Sequence, residues 1–189
     1  MQVQLQTLAT SKYVAHLMAD VLDWQRRLGL ADSVLSLWCE VQRSWSHLES
    51  IFAGSGSDDI RVQLPLDADR FDETNTKFKT ILIDLMAKPN VINVALRPGI
   101  LDQLQELDTQ LQLCEKALAQ YLESKRMAFP RFYFVATADL LDILSNGTNP
   151  SMVQKHLTKL FDAVARINLE PIEPDNPKST HYCIAFIVT

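Results

Sequence analysis

Residues 98–127 read PGILDQLQELDTQLQLCEKALAQYLESKRM, and this stretch decides the fold class. Apolar side chains recur every three or four positions along it, which is the spacing of an amphipathic α-helix. They are Leu104, Leu107, Leu111, Cys114, Leu118 and Tyr121. Pro98 suits the first position of such a helix, because its missing N–H would have no helical partner there. We therefore predict one long helix with a single apolar face.

Three similar stripes precede this helix and predict helices at about residues 2–28, 32–53 and 68–88. Gly29 is expected to end the first, because glycine adopts the left-handed cap conformation at little cost. Pro89 is expected to end the third. Four amphipathic helices joined by breaks predict a mainly α fold, an elongated antiparallel bundle or rod.

The composition changes after residue 127. Residues 129–135, FPRFYFV, are dense in strand formers, so we predict a short β element near residues 129–136. Two short helices should follow, the second running from about Pro150 to Arg166. We thus expect a helical subdomain at residues 1–127, a strand with two short helices at 128–169, and a proline-rich, divergent tail at 170–189. Within that tail, residues 170–180 should be a mobile loop, and 182–188 a strand if they find a partner.

Charge and composition argue against several classes of partner. The net charge is −5, and no cluster of Lys and Arg suitable for neutralising phosphates occurs, so nucleic acid and the acidic microtubule surface are not expected to be direct partners. No apolar run approaches the roughly 20 residues of a membrane span. The three cysteines are far apart, which fits reduced thiols in the cytosol better than a disulfide framework.

The motifs that mark common active sites are missing from the sequence. It has no Gly-x-x-x-x-Gly-Lys-Ser/Thr phosphate loop, no His-Glu-x-x-His pair and no Gly-x-Ser-x-Gly elbow. The four histidines are scattered, and His16 and His47 fall within predicted helices, where surface or core roles are expected rather than metal ligation. We therefore predict no catalytic, cofactor-binding or metal-binding residue in this chain.

A set of residues spread over most of the chain resembles dynein heavy chains. It is Trp38, Gln42, Trp45, Phe52, Leu64, Pro65, Phe129, Pro130, Arg131, Phe132, Phe134, Leu140, Leu141, Ile143 and Leu144. In family order, these signature residues and the residues around them resemble the linker that precedes the ring of AAA modules. The stretch 128–150 is most similar to axonemal heavy chains, with the outer arm as one option.

This resemblance implies a mechanical role and no catalysis by the segment itself. In the family, the linker is a helical lever within an ATP-driven, minus-end-directed microtubule motor of cilia and flagella, part of the cytoskeleton. ATP and Mg²⁺ bind in the AAA ring of the full-length chain, and the implied partners are that ring and the dynein intermediate and light chains. The alternative is a stand-alone, spectrin-like helical scaffold that only binds protein partners.

A lever needs a hinge, and helical packing is interrupted at two places. These are residues 89–98 and 145–150, which we take as the hinge candidates.

Overall fold

The computed structural model describes residues 2–53, 57–87, 89–146, 150–164, 166–171 and 182–188. Its α-helices are α1 (Gln2–Ala9), α2 (Met18–Phe52), α3 (Ser57–Gln63), α4 (Pro65–Met86), α5 (Val91–Ala95), α6 (Ile100–Ala128), α7 (Thr137–Ser145), α8 (Pro150–Val153) and α9 (Leu157–Leu160). Three 3₁₀-helices span Lys12–Leu17, Pro130–Phe134 and Gln154–His156. The mainly α fold is confirmed. No helix in the described ranges is long and apolar enough to cross a bilayer.

The predicted break at Gly29 is wrong, because α2 runs without interruption through this residue. A glycine inside a helix costs about 1 kcal/mol relative to alanine. Val21, Ala31 and Val34 are buried on either side of Gly29, so packing holds the helix together across it. The actual interruption lies earlier. The chain leaves α1 and enters a 3₁₀-helix capped by Ser11, whose hydroxyl accepts a hydrogen bond from the Tyr13 N–H.

The chain divides into two compact units. Unit 1 comprises Met1–Glu49 and Asp69–Cys114, and unit 2 comprises Ser50–Ala68 and Glu115–Thr189. This division differs from the predicted boundary near residue 127, because α2, α4 and α6 each contribute residues to both units.

The core of unit 1 is built from the predicted apolar stripes of α2, α4 and α6. Its fully buried members include Val41, Leu48, Phe71, Phe78, Ile100, Leu104, Leu111 and Cys114. Thr74 is the buried polar side chain among them, and its hydroxyl donates to the Arg70 carbonyl one turn earlier. Each long helix therefore buries one face, as the three-to-four spacing of its apolar residues requires.

The predicted β element near residues 129–136 is wrong, because Pro130–Phe134 forms a 3₁₀-helix. The Phe132 N–H donates to the Phe129 carbonyl at 2.9 Å, and the Val135 N–H donates to the Phe132 carbonyl at 3.2 Å. Strand propensity reflects packing in a sheet, and no ladder partner reaches this stretch in the described residues. Pro130, with its fixed φ, instead opens a tight turn.

The end of the described chain is an antiparallel pair of strands, β1 (Arg166–Pro171) and β2 (Tyr182–Val188). Arg166 pairs with Val188, and the register shifts between Asn168 and Leu169. The strand expected at 182–188 is confirmed. The helix expected to reach Arg166 ends earlier, at Leu160, since Arg166 belongs to β1. Of the mobile loop predicted at 170–180, Glu170 and Pro171 belong instead to β1, and residues 172–180 lie outside the described residues.

Candidate functional site

Three signature residues, Trp38, Gln42 and Trp45, form an aromatic cluster with Phe78 in unit 1. The Trp38 and Trp45 rings both contact Phe78, with ring-centroid distances of 5.5 Å and 5.1 Å. Phe78 is completely buried. Both rings are tilted against it, an arrangement that favours aromatic pairs beyond simple burial. The cluster therefore joins α2 to α4 at one place.

Hydrogen bonds satisfy the polar edges of this aromatic cluster. Trp45 Nε1 donates to Asn75 Oδ1 at 3.0 Å, and Trp38 Nε1 donates to Gln42 Oε1 at 3.2 Å. The Trp45 hydrogen bond is part-buried, where an indole N–H without a partner would be costly, whereas the Trp38 hydrogen bond lies at the surface. The spacing of four between Trp38 and Gln42 places that acceptor on the same helix face.

Surface ion pairs join α4 to α2, to α6 and to the turn between α5 and α6. Lys79 Nζ lies 3.1 Å from Glu49 Oε1, and Arg97 Nη2 lies 3.1 Å from Asp84 Oδ2. Lys77 reaches Glu73 on its own helix and Glu106 on α6, and the hydrogen bond to Glu73 raises the pKa of Lys77. Exposed pairs of this kind add little stability, so they orient the helices more than they hold them together.

An apolar groove of about 310 Å³ opens on unit 1. Its lining is Val34, Leu35, Trp38, Leu82, Leu85, Met86, Pro89, Asn90, Val91, Val94 and Ala95. Asn90 is the polar member, and its side chain caps α5 by accepting from the Asn93 N–H. Among the described lining residues the groove is thus almost wholly apolar, whereas a site for chemistry needs several convergent polar groups.

The signature residues of unit 2 divide into buried and exposed members. Leu140 and Ile143 are buried on α7, and Phe52 is fully buried. Pro65 opens α4 at its exposed first position. Phe134 is 81% exposed and thus lies outside the core. Leu64, Phe132, Leu141 and Leu144 are half-buried, while Phe129 and Pro130 are exposed.

Arg131 fastens the 3₁₀-helix to the end of α9. Its Nη1 donates to the Leu160 carbonyl at 3.0 Å, and its guanidinium lies 4.7 Å from the Phe161 ring centroid. The last carbonyls of a helix lack partners within that helix, so a guanidinium is a suitable donor to them. Phe132 supports the same turn through an edge-on contact with Phe129 at 4.9 Å.

A polar cluster that the sequence reading missed lies between α7 and the segment 154–160. It consists of Asp139, Asp142, Lys155, His156 and Lys159 and is called the Asp–His cluster below. His156 Nε2 lies 2.7 Å from Asp142 Oδ2, and Lys159 Nζ lies 2.7 Å from Asp139 Oδ1. The hydrogen bond to His156, assisted by the nearby Lys155, lowers the pKa of Asp142. The available signal was the spacing of three between the two aspartates, which puts both on one face of α7.

This cluster has the geometry of a brace between helices. The two ring nitrogens of His156 face different carboxylates, with Nδ1 lying 3.7 Å from Asp139 Oδ1. No group of three His, Cys, Asp or Glu side chains in the described part of the chain is arranged to hold a metal ion. Together these residues can form ion pairs and hydrogen bonds between α7 and the segment 154–160.

Replacing Asp142 with asparagine should make the free energy of unfolding fall less as the pH is lowered. A carboxyl with a lowered pKa in the folded state contributes stability above its ordinary value of 3.8, and this contribution is lost as the pH falls through the folded value. The wild-type chain should therefore lose more unfolding free energy than Asp142→Asn between about pH 5 and pH 3. Urea unfolding across this range measures both, with Asp32→Asn as a surface control. Equal losses in wild type and Asp142→Asn would contradict the assignment.

Comparison with known proteins shows which family the chain belongs to. Residues 1–186 match the family model described as dynein heavy chain, N-terminal region 2, so the match includes most of the tail predicted to diverge. The chain is 54% identical over 176 residues to dynein axonemal heavy chain 17 of Homo sapiens and 54% identical over 175 residues to the ciliary dynein beta chain of Tripneustes gratilla. It is 44% identical over 178 residues to the flagellar outer arm dynein beta chain of Chlamydomonas reinhardtii.

Each of these matches covers 93% of this chain but only 4% of the relative. The similarity is therefore to one segment of very long proteins, and it extends through both compact units. The chain belongs to the dynein heavy chain family, within the N-terminal region of those proteins.

Proposed function

We propose that this segment is part of the linker of an axonemal dynein heavy chain and transmits force within an ATP-driven, minus-end-directed microtubule motor. The observation that carries the proposal is the family match across residues 1–186, together with relatives whose names are axonemal, ciliary and flagellar. By the same reasoning, the protein works in the axoneme of a cilium or flagellum. Membership of this family favours the lever over a stand-alone helical scaffold.

The helical architecture supports a mechanical role. Helices α2, α4 and α6 contain 35, 22 and 29 residues, and their backbone hydrogen bonds are internal to each helix. In unit 1, side-chain packing at Phe78 and the hydrogen bond from Trp45 to Asn75 connect neighbouring helices. Packed helices of this kind resist deformation, because a protein interior is as dense as an organic crystal.

In this proposal the segment performs no chemistry. ATP and Mg²⁺ would bind in the AAA ring of the full-length heavy chain, and the partners of the segment would be that ring and the intermediate and light chains. With a net charge of −5, the segment is not proposed to contact the acidic microtubule surface. An ATPase assay of the isolated chain should show no turnover, and activity that depends on its residues would overturn this part of the proposal.

A variant that weakens the aromatic cluster tests the lever directly. In a full-length heavy chain, Trp45→Ala should slow microtubule gliding while ATP turnover persists, because the nucleotide sites are intact but the arm yields under load. The substitution removes the ring against Phe78 and the hydrogen bond to Asn75. Gliding velocity and ATPase rate would be measured on the same preparation.

Trp24→Ala is the matched control, because Trp24 lies on the same helix but is 47% exposed. It should leave both rates close to those of the wild type. Unchanged gliding in Trp45→Ala, or an equal fall in gliding and ATPase rates, would contradict a force-transmitting role for this unit.

Hydrogen exchange tests the hinge candidates. Residues 89–98 contain only the five-residue helix α5. The second candidate lies between α7 and the four-residue α8, and its residues 147–149 are outside the described part of the chain. Short helices have few buried contacts, so amides in both stretches should exchange faster than those in the middle of α6. Mass spectrometry of the exchanged chain gives all three rates. Protection equal to that of α6 would remove the stretch concerned as a hinge.

A further inference from the structure

His156 is buried between two carboxylates and has one ring nitrogen without a hydrogen bond. It is 6% exposed, and Nε2 is engaged by Asp142 Oδ2 at 2.7 Å. Nδ1 is also buried and faces Asp139 Oδ1 at 3.7 Å, and no hydrogen-bond partner for it occurs among the residues that the structure describes. Buried polar atoms almost always have partners, so this nitrogen calls for an explanation.

The number of protons on the ring decides whether the site can be satisfied. A neutral imidazole has one N–H, which serves one carboxylate and leaves the other nitrogen as an acceptor facing a negative charge. An imidazolium has two N–H groups and can donate to both carboxylates. Imidazole is the side chain that commonly gains this second proton between about pH 5 and pH 8.

We propose that His156 is a proton-operated brace, which ties α7 to the segment 154–160 more firmly when its ring carries two protons. The carboxylates of Asp139 and Asp142 are the acceptors that its two N–H groups would meet. Each carboxylate is presented by α7, one helical turn apart, to a different ring nitrogen. The proton supplies the missing N–H, so Nδ1 gains a charge-assisted hydrogen bond to Asp139.

Lys155 and Lys159, the cations near His156, repel a second proton on its ring. They are more exposed to solvent than His156, which weakens this repulsion. Lys155 Nζ lies 3.8 Å from Asp142 Oδ2, and Lys159 Nζ lies 2.7 Å from Asp139 Oδ1. Their side chains are 52% and 44% exposed, against 8% for His156, so water screens them more strongly. Arg131 approaches α9 from the neighbouring 3₁₀-helix, where the Leu160 carbonyl takes its hydrogen bond. Helix α8 contributes no ionisable residue.

The brace spans the second hinge candidate, since Asp142 precedes residues 145–150 and His156 follows them. Protonation of His156 would then restrain the connection between α7 and the segment 154–160. The inference concerns the stability of unit 2 and holds whether or not the segment acts as a lever. A failure of one proposal is therefore distinguishable from a failure of the other.

Hydrogen exchange of the full chain at about pH 6 and about pH 8 tests the brace, with rates corrected for the intrinsic pH effect. In the wild type, α7 amides should be roughly tenfold better protected at the lower pH, the effect of one charge-assisted hydrogen bond. In His156→Gln the difference should vanish, because the amide can donate to Asp142 but cannot take up a proton. His16→Gln, at an exposed histidine, should keep the wild-type response.

A second variant, and a measurement of the protons on the His156 ring itself, complete the test. Asp139→Asn retains the Asp142–His156 hydrogen bond but removes the second carboxylate, so it should also reduce the pH response. Nitrogen-15 spectra of the labelled ring, recorded at both pH values, should show the second ring N–H in the wild type wherever α7 is better protected. A pH response equal in wild type and Asp139→Asn, or a ring with a single proton where α7 is better protected, would overturn the proposal.

Discussion

Replacing Phe78 with alanine should destabilise unit 1 by about 3–5 kcal/mol, the usual cost of deleting a buried aromatic ring. Phe78 is completely buried, and the Trp38 and Trp45 rings lie within 5.5 Å and 5.1 Å of its centroid. The deletion loses the transfer free energy of the ring and leaves a cavity that two rigid indoles cannot easily fill. It also removes both aromatic contacts.

Tryptophan fluorescence during urea unfolding measures the stability of unit 1. Trp24, Trp38 and Trp45 are the three tryptophans of the chain, and all belong to unit 1. Ile83→Ala is the matched control on the same helix, because Ile83 is 69% exposed, and it should change stability by no more than about 0.5 kcal/mol. A loss in Phe78→Ala as small as that of Ile83→Ala would show that the aromatic cluster is not part of the core.

The second large effect is expected in unit 2, where Leu140→Ala should cost about 2–5 kcal/mol. Leu140 is completely buried on α7, which contacts α3. Loss of this side chain should loosen α7 and, with it, the surface that carries Asp139 and Asp142. Hydrogen exchange of α7 peptides, read together with urea unfolding by circular dichroism, measures the change.

Phe134→Ala is the matched control for Leu140→Ala and also tests the sequence reading. Both are signature residues, but Phe134 is 81% exposed in its 3₁₀-helix. Its removal should alter stability by no more than about 0.5 kcal/mol. A large loss would mean that residues 129–136 form the buried strand that their composition predicted.

The sequence predicted the long helix α6 and its buried face well. Leu104, Leu107 and Leu111 were assigned to the buried face of one helix, and all three are buried. Their burial follows from periodicity, because an α-helix brings every third or fourth residue to one side whatever it packs against. The resemblance to dynein heavy chains likewise rested on the order of residues along the chain and is confirmed.

Local propensity was a poorer guide where tertiary contacts decide the structure. Gly29 was expected to end a helix, yet α2 passes through it because packing on both sides outweighs the cost of one glycine. Residues 129–135 were expected to form a strand. A strand needs a partner to complete its hydrogen bonds, and whether one is near cannot be read from seven residues.

The Asp–His cluster shows most clearly which features depend on tertiary contacts rather than on the sequence alone. By itself, the sequence determined that the protein is helical, which faces of its long helices are apolar, and that it resembles dynein heavy chains. These features depend on spacing and order along one chain. Only the tertiary structure decided that His156, fourteen residues after Asp142, would be buried against it. Hydrogen bonds and proton affinity depend on distances of a few ångströms between side chains, and those distances exist only after the helices have packed.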